Sequence, residues 1–133
     1  MSEWKKYKRV VPTIARELSQ QDVKELGGVV VSREGPKSVV AGDYMGRDEV
    51  GVWKISKKDI QNYDQQTLPD SCGWCEWQLK DPYCLARIID HDFKVEGLQG
   101  YAGDYLVIDL DGTRGRPVAK VVFEQTRRLV END

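Results

Sequence analysis

Long apolar runs, paired cysteines and phosphate-loop glycines are all missing from this chain of 133 residues. Nowhere do eighteen apolar residues occur together, so we predict no membrane span. No apolar run of signal-peptide length follows the basic start, so secretion is not expected. The three cysteines are an odd number crowded into one segment, which is a poor disulfide framework. A reducing cytoplasm is the predicted location.

The common catalytic and nucleotide-binding motifs are also absent. Neither G-x-x-x-x-G-K-[ST] nor G-x-G-x-x-G occurs, so the glycines form no phosphate loop. The serine-hydrolase motif G-x-S-x-G is missing as well. We therefore predict no catalytic residue, and the composition, with 40% hydrophobic residues, is typical of one globular domain.

The charges are nearly balanced, with 20 basic against 22 acidic residues and a net charge of −2. This balance argues against a dedicated nucleic-acid-coating protein, so a nucleic-acid partner is not expected. The N-terminus is locally basic, with aromatic residues interleaved (Trp4, Lys5, Lys6, Tyr7, Lys8, Arg9). Such a pattern suits phosphate contact or base stacking, but a solvated terminal strand is the favoured interpretation.

An internal repeat is the strongest signal in the sequence. Residues 41–45, Ala-Gly-Asp-Tyr-Met, return as Ala-Gly-Asp-Tyr-Leu at 102–106. Continuing the alignment, with two residues added in the later turn, matches Ile55 with Val118 and Ile60 with Phe123. Two copies are too few for a solenoid. We therefore predict a single domain, residues 1–133, with two similar halves at about 28–64 and 85–130.

The predicted fold class is α+β. Ala-Gly-Asp is a turn sequence, and the tyrosine after it opens a strand in each half. Short helices are expected at 57–63 and 119–129, and residues 7–14 are expected to form an edge strand interrupted at Pro12. Residues 64–82 are expected to be irregular. Together these elements predict a mainly antiparallel twisted sheet or small open barrel from two related halves, each with a short helix.

The cysteine cluster carries the only metal-ligand pattern. Cys72 and Cys75 form a C-x-x-C, followed by Cys84 and then His91. Thiolates and imidazole suit tetrahedral zinc, but Cys84 and His91 form no tight second pair. A redox dithiol is the other alternative, although no strand precedes Cys72. Reduced cysteines without a cofactor are the favoured interpretation, and zinc stays open.

Two further constellations suit catalysis. Asp43 and Asp104, one per half, are able to act as paired acids, and Cys72 with His91 is the other candidate pair. The favoured interpretation is structural: each aspartate satisfies amides in its own turn, and His91 is an exposed strand-end residue. A small enzyme using either pair is kept as an alternative.

Tryptophans and the repeated corners supply the candidate ligand-binding residues. Large aromatic side chains are common at binding surfaces. The candidate set comprises Trp53, Trp74, Trp77, Asp43, Tyr44, Asp104 and Tyr105. A ligand is expected at the junction of the two halves or under the segment that carries Trp74 and Trp77.

Four short segments follow a pattern known from other proteins: residues 6–12, 102–107, Pro117 with Val118, and 123–126. In these segments the chain resembles small bacterial and prophage proteins of the PGDYG type. The first half departs from the family pattern at Trp53 and at 59–63, and Arg127 stands where the family has tyrosine. The resemblance implies a bacterial or phage origin and no particular reaction or cofactor. The predicted function is a non-enzymatic binding module for a small molecule or a protein; a zinc-stapled structural module is a further alternative.

Overall fold

The structure, a computed structural model, describes residues 3–130. In chain order the elements are β1 (Lys5–Arg9), β2 (Thr13–Glu17), α1 (Gln20–Glu25), β3 (Val29–Ser32), β4 (Gly35–Ser38), β5 (Tyr44–Asp48), β6 (Gly51–Ile55), a 3₁₀ turn (Asp59–Asn62), β7 (Tyr63–Gln65), β8 (Cys75–Leu79), β9 (Tyr83–Ile88), β10 (Phe93–Val95), β11 (Leu98–Gly100), β12 (Tyr105–Ile108), β13 (Gly115–Val118), α2 (Lys120–Thr126) and β14 (Arg127–Leu129). No helix of the described residues is long and apolar enough to cross a membrane.

The chain forms two compact units. The middle unit is Pro12–Asp81, and the terminal unit joins the residues up to Val11 with those from Pro82 onward. Each unit holds one five-stranded antiparallel sheet and one two-stranded hairpin, β3-β4 in the middle unit and β10-β11 in the terminal unit. The single-domain organisation expected from the sequence stays a prediction.

The two five-stranded sheets share one strand order. The terminal sheet runs β13-β12-β9-β1-β14, and the middle sheet runs β6-β5-β2-β8-β7. Strands β9, β12, β13 and β14 of the terminal unit therefore correspond to β2, β5, β6 and β7 of the middle unit. The remaining inner strand is β1 in one sheet and β8 in the other.

We call each set of corresponding strands, β2 with β5–β7 and β9 with β12–β14, a repeat, and the strand just before it in the chain its leading strand. The leading strand of each repeat lies in the sheet of the other repeat. Strand β1 comes just before β2 in the chain, but it pairs with β9 and β14. Strand β8 comes just before β9, but it pairs with β2 and β7. Consequently β1 is an inner strand rather than the edge strand that Pro12 suggested. Pro12 itself lies between β1 and β2, where its missing N–H costs no ladder hydrogen bond.

The Ala-Gly-Asp corners have matching geometry in the two units. Gly42 and Gly103 have φ of 95° and 93°, a left-handed conformation that glycine adopts without strain. The N–H of Gly42 donates to the Leu18 carbonyl at 2.9 Å, and that of Gly103 donates to the Ile89 carbonyl at 2.7 Å. The repeated sequence thus produces the same turn twice.

Each sheet buries one face against the segment that joins its two edge strands, β13 and β14 in the terminal unit and β6 and β7 in the middle unit. In the terminal unit this core contains Cys84, Ala86, Tyr105, Val107 and Phe123. In the middle unit the core contains Ala15, Ile55 and Ile60, with Tyr44, Trp53, Tyr63 and Trp77 packed against it. The equivalent residues Ala86 and Ala15 are both fully buried. A second middle-unit cluster joins Leu18, Val30 and Val39 to Met45 and Val52.

The α+β prediction is wrong. Strands make up 46% of the structure and helices 13%, and none of the four sheets among residues 3–130 is closed, so the fold is closer to all-β. The helix expected at 57–63 is only the 3₁₀ turn, because the backbone from Tyr63 enters a ladder with β8. The helix expected at 119–129 ends at Thr126 for the same reason, since β14 pairs with β1. The 64–82 segment, expected to be irregular, contains β8.

Candidate functional site

The predicted corner acids, Asp43 and Asp104, are buried within their own turns. The carboxylate of Asp43 accepts N–H bonds from Val40 and Lys57, each at 3.0 Å. The carboxylate of Asp104 accepts the N–H of Tyr101 at 2.9 Å, the equivalent of the Val40 bond. Both residues are at most 5% exposed. In both corners the carboxylate therefore accepts hydrogen bonds from backbone N–H groups.

The two corner tyrosines, also in the candidate set, belong to the cores. Tyr105 is buried and stacks on Phe123 with ring centroids 3.8 Å apart. Tyr44 is half-buried, lies edge-on to Trp77 and donates its hydroxyl to Glu17 at 3.1 Å. Burial and the Glu17 carboxylate raise the pKa of Tyr44 to about 12. Both phenols are therefore neutral packing groups at ordinary pH.

The three candidate tryptophans divide into two places in the middle unit. Trp53 and Trp77 are half-buried and pack on the core of that unit. Trp74 precedes β8 and contacts two arginines, with the guanidinium of Arg47 4.3 Å and that of Arg16 5.9 Å from its ring centroid. Among the candidate ligand-binding residues, Trp74 is therefore the aromatic residue whose ring lies against arginine side chains.

The metal candidates lie on different elements. Cys72 is exposed, whereas Cys75 on β8 and Cys84 on β9 are buried free thiols. His91 is exposed and lies 3.0 Å from the carboxylate of its neighbour Asp90. Within residues 3–130 no group of three His, Cys, Asp or Glu side chains is arranged to hold a metal. The zinc alternative stays a prediction that metal analysis tests.

A second tryptophan–arginine pair, which the sequence analysis did not single out, occurs in the terminal unit. Trp4 precedes β1 as Trp74 precedes β8, and the Arg87 guanidinium lies 5.4 Å from its ring centroid. Arg87 follows Ala86 as Arg16 follows Ala15. In both arginines Nε is buried without a hydrogen-bond partner among the described residues. The sequence does carry a signal for these two pairs. The pattern Trp-x-x-(aromatic) occurs at 4–7 and again at 74–77, and an Ala-Arg dipeptide follows further along the chain, at 15–16 and at 86–87.

Around Trp4 the outer face of the terminal sheet is basic and aromatic. Side chains alternate along a strand, so Trp4, Lys6 and Lys8 point to the side opposite the core residue Tyr7. Lys8 lies directly opposite Tyr83 on β9 and Arg128 on β14. We call this set the basic face; it comprises Trp4, Lys6, Lys8, Tyr83, Arg87 and Arg128.

Among residues 3–130, the cations of the basic face have no acidic partner. Lys6 and Lys8 lie 4.7 and 5.8 Å from the ring centroid of Tyr83. Among the ion pairs of the described residues none involves Lys6, Lys8, Arg87 or Arg128. Trp4 is 40% exposed and Tyr83 37%. The face therefore presents four cations and two accessible rings to solvent.

The equivalent face of the middle unit has a different charge. Aligning the ladders at Ala86 and Ala15 matches Trp4 with Trp74, Lys6 with Glu76, Lys8 with Gln78 and Arg128 with Asp64. Of the two arginines beside Trp74, Arg16 is paired with Asp22 at 2.7 Å, and Arg47 lies over the Trp74 ring. The shared frame therefore does not require the positive charge, and the basic face is particular to the terminal unit.

No protein-family model, curated protein or solved structure matches this chain. The resemblance to the PGDYG type consequently stays a prediction. The choice among functions rests on the residues of the two faces and on the differences between the two units.

Proposed function

We propose that this protein is a non-enzymatic binding module that docks an acidic segment of a protein partner on the basic face of the terminal unit. The observation that carries the proposal is the set of four cations around Trp4 and Tyr83 that form no ion pair within the described part of the chain. A cytoplasmic location and a bacterial or phage origin belong to the same proposal, supported by the free thiols and by the PGDYG resemblance.

The residue types on this face are those that contribute most to protein interfaces. Tryptophan, tyrosine and arginine are enriched among the residues whose truncation costs the most binding energy. Trp4 and Tyr83 are already held against cations, so little side-chain entropy is lost when a partner covers them. Carboxylates of a partner would supply the counter-charges that no described residue gives to Lys6, Lys8, Arg87 and Arg128.

An acidic protein is favoured over a nucleic acid by the charge of the whole chain. The net charge of −2 gives no long-range attraction for a polyanion, and it repels one at low ionic strength. A short acidic peptide segment needs only the local face. The buried backbone roles of Asp43 and Asp104 support a non-enzymatic function for these corners.

The test uses a fluorescein-labelled peptide in which Glu alternates with Leu, and measures fluorescence anisotropy with the full-length protein. We expect saturable binding that weakens as salt rises. The double substitution Lys6→Gln with Lys8→Gln, and separately Trp4→Ala, should each weaken the affinity about tenfold or more. Trp74→Ala, at the equivalent position of the middle unit, is the matched control and should leave the affinity within about twofold.

An oligothymidylate of equal length is titrated in parallel. Binding of the oligonucleotide without binding of the acidic peptide would replace the protein partner by a single-stranded nucleic acid. Equal loss with Trp74→Ala and Trp4→Ala would remove the assignment to the basic face. Circular dichroism of each variant checks that the fold is retained.

A further inference from the structure

Three aromatic side chains meet on the inner face of the middle sheet, the face that holds its core. Tyr44 on β5 and Trp77 on β8 lie edge-on across β2, with ring centroids 5.4 Å apart. Trp53 on β6 lies over Gly46 of β5, where a Cβ would come within 2.5 Å of its ring. All three pack against the core cluster that contains Ala15, which is fully buried on β2. We call the three rings the aromatic site.

The aromatic site is less covered than the equivalent part of the terminal unit. Tyr44 is half-buried, whereas its equivalent Tyr105 is 7% exposed, because Phe123 stacks on that ring. The sequence repeat places Ile60 at the position of Phe123, and an isoleucine has no ring to stack. The other two rings of the site are half-buried as well. The site therefore keeps part of its aromatic surface accessible to solvent.

The shared frame does not require this set of side chains. Counted from the corner tyrosines, Trp53 of β6 corresponds to Arg116 of β13, and Gly46 corresponds to Val107. A glycine inside a strand costs stability and often marks a place that another group approaches closely. The middle unit thus has a glycine where the terminal unit has a valine, and this leaves room for the Trp53 ring above the sheet.

A carboxylate lies beside the aromatic site. Glu17, at the end of β2, is directly opposite Tyr44, and its carboxylate accepts the tyrosine hydroxyl at 3.1 Å. Among the ion pairs of residues 3–130, none includes Glu17. Because side chains alternate along a strand, the cations of the five strands point to the other side of the sheet. These cations are Arg16, Arg47 and Lys54. The charge beside the rings is therefore negative.

We infer that the aromatic site binds an ammonium group that carries methyl substituents, either in a small molecule or on a modified lysine side chain of a protein. The face of an aromatic ring attracts cations, tryptophan most strongly, and clustered rings are the common recognition device for methylated ammonium groups. The rings supply apolar contact for the methyl groups, and the Glu17 carboxylate beside Tyr44 matches the charge. An unmodified lysine ammonium is more strongly hydrated, so it fits such a surface less well.

The test follows the indole N–H signals of the isotope-labelled full-length protein by NMR while choline is added. We expect saturable shifts of the Trp53 and Trp77 signals. Trp4 and Trp74, which already lie against arginines, are internal controls whose signals should stay unchanged. The neutral analogue of choline, in which carbon replaces the charged nitrogen, has the same shape without the charge. It should bind at least about fivefold more weakly, because it lacks the attraction between cation and ring.

Two peptides distinguish the sources of the ammonium group. Each peptide is uncharged apart from one central lysine, which is trimethylated in the first and unmodified in the second. Tighter binding of the trimethylated peptide than of choline would identify a modified protein as the source. Binding of choline at least as tight as that of the peptide would identify a small molecule. Equal binding of the two peptides would overturn the proposal, since methylation would then not matter.

Substitutions then test which residues carry the binding. Trp53→Arg, which copies Arg116 of the terminal unit, should abolish choline binding because it places a cation at the site. If that variant fails to fold, Glu17→Gln, at an exposed position, should still weaken the affinity about threefold or more. Glu76→Gln makes the same change of charge on the opposite face of β8, so it is the matched control and should leave the affinity within about twofold.

Four results would each overturn the aromatic site. The first is the absence of a saturable shift with choline and with the trimethylated peptide. The second is equal binding of choline and its neutral analogue, and the third is a shift of the Trp4 or Trp74 signal in place of Trp53 and Trp77. The fourth is unaltered affinity in Glu17→Gln together with a folded Trp53→Arg variant that still binds. None of these results would affect the basic face, which belongs to the terminal unit.

Discussion

Asp43 is stabilised as a carboxylate inside its corner. Burial opposes ionisation, but the N–H groups of Val40 and Lys57 and the charge of Lys54 outweigh it and hold the pKa of Asp43 below its ordinary value. Because the folded pKa is lowered, this residue contributes stability above the ordinary aspartate pKa. That contribution is lost as the pH falls through the folded pKa.

Replacing a corner aspartate should therefore destabilise its unit. An amide in place of the carboxylate loses one acceptor oxygen and aims a donor at backbone N–H groups. We expect Asp43→Asn and Asp104→Asn each to lower the free energy of unfolding by about 1–3 kcal/mol in urea titrations at neutral pH. For Asp43→Asn the deficit should shrink on acidification, since the wild type loses its carboxylate there. Exposed Asp64→Asn should change stability by less than about 0.5 kcal/mol.

A folded, fully stable Asp43→Asn variant would mean that the corner does not depend on its carboxylate. The structural interpretation of both corners would then be wrong. These residues show how far sequence reasoning reached: Ala-Gly-Asp predicted a turn whose aspartate bonds amides, because glycine and aspartate supply that chemistry locally.

Strands β5 and β6 pack through a glycine. Gly46 lies opposite Trp53, and a Cβ at Gly46 would come within 2.5 Å of the Trp53 ring. The terminal unit uses Val107 opposite Arg116 at the corresponding positions, where no large ring competes for the space. The two units therefore fill the space at this strand pair differently, one with a glycine opposite a tryptophan and the other with a valine opposite an arginine.

Gly46→Ala should overpack the middle unit and lower its free energy of unfolding by about 1–3 kcal/mol, because the Trp53 ring is forced to move. Adding Trp53→Leu should make the alanine much less costly, which a double-mutant cycle measures as a coupling energy. Simple additivity of the two changes would contradict the close contact. Val107→Ala in the terminal unit, which leaves a cavity rather than a clash, gives the contrasting case.

At the level of elements, short-range signals predicted the strands after each corner but overestimated the helices. Residues 57–63 follow Ser56, whose hydroxyl accepts the N–H of Asp59, and they have helix-compatible side chains, yet Tyr63 enters a ladder instead. That ladder requires β8, which lies outside residues 28–64, the predicted first half. Sequence reasoning misses it because Trp74 and Trp77 lie among turn residues such as Pro69, Asp70 and Gly73.

At the level of the whole molecule, the repeat was recognisable and the exchange of leading strands was not. Local patterns place Ile55 and Val118 at matching positions, and the ladders set each opposite its corner tyrosine, Tyr44 or Tyr105. Which sheet receives β1 depends on pairing between distant segments, which composition does not encode. The basic N-terminus already showed Trp4, Lys6 and Lys8, but their combination with residues of β9 and β14 into the basic face was missed for the same reason, since these strands come from opposite ends of the chain.

The exchange of leading strands is the central claim, because the basic face needs β1 beside β9 and β14. Nuclear Overhauser effects between backbone protons of the full-length protein test it most directly. The account predicts cross-strand effects joining Lys5 with Ala86 and Cys75 with Ala15. Effects joining β1 with β2, or β8 with β9, would contradict it, because each repeat would then complete its own sheet.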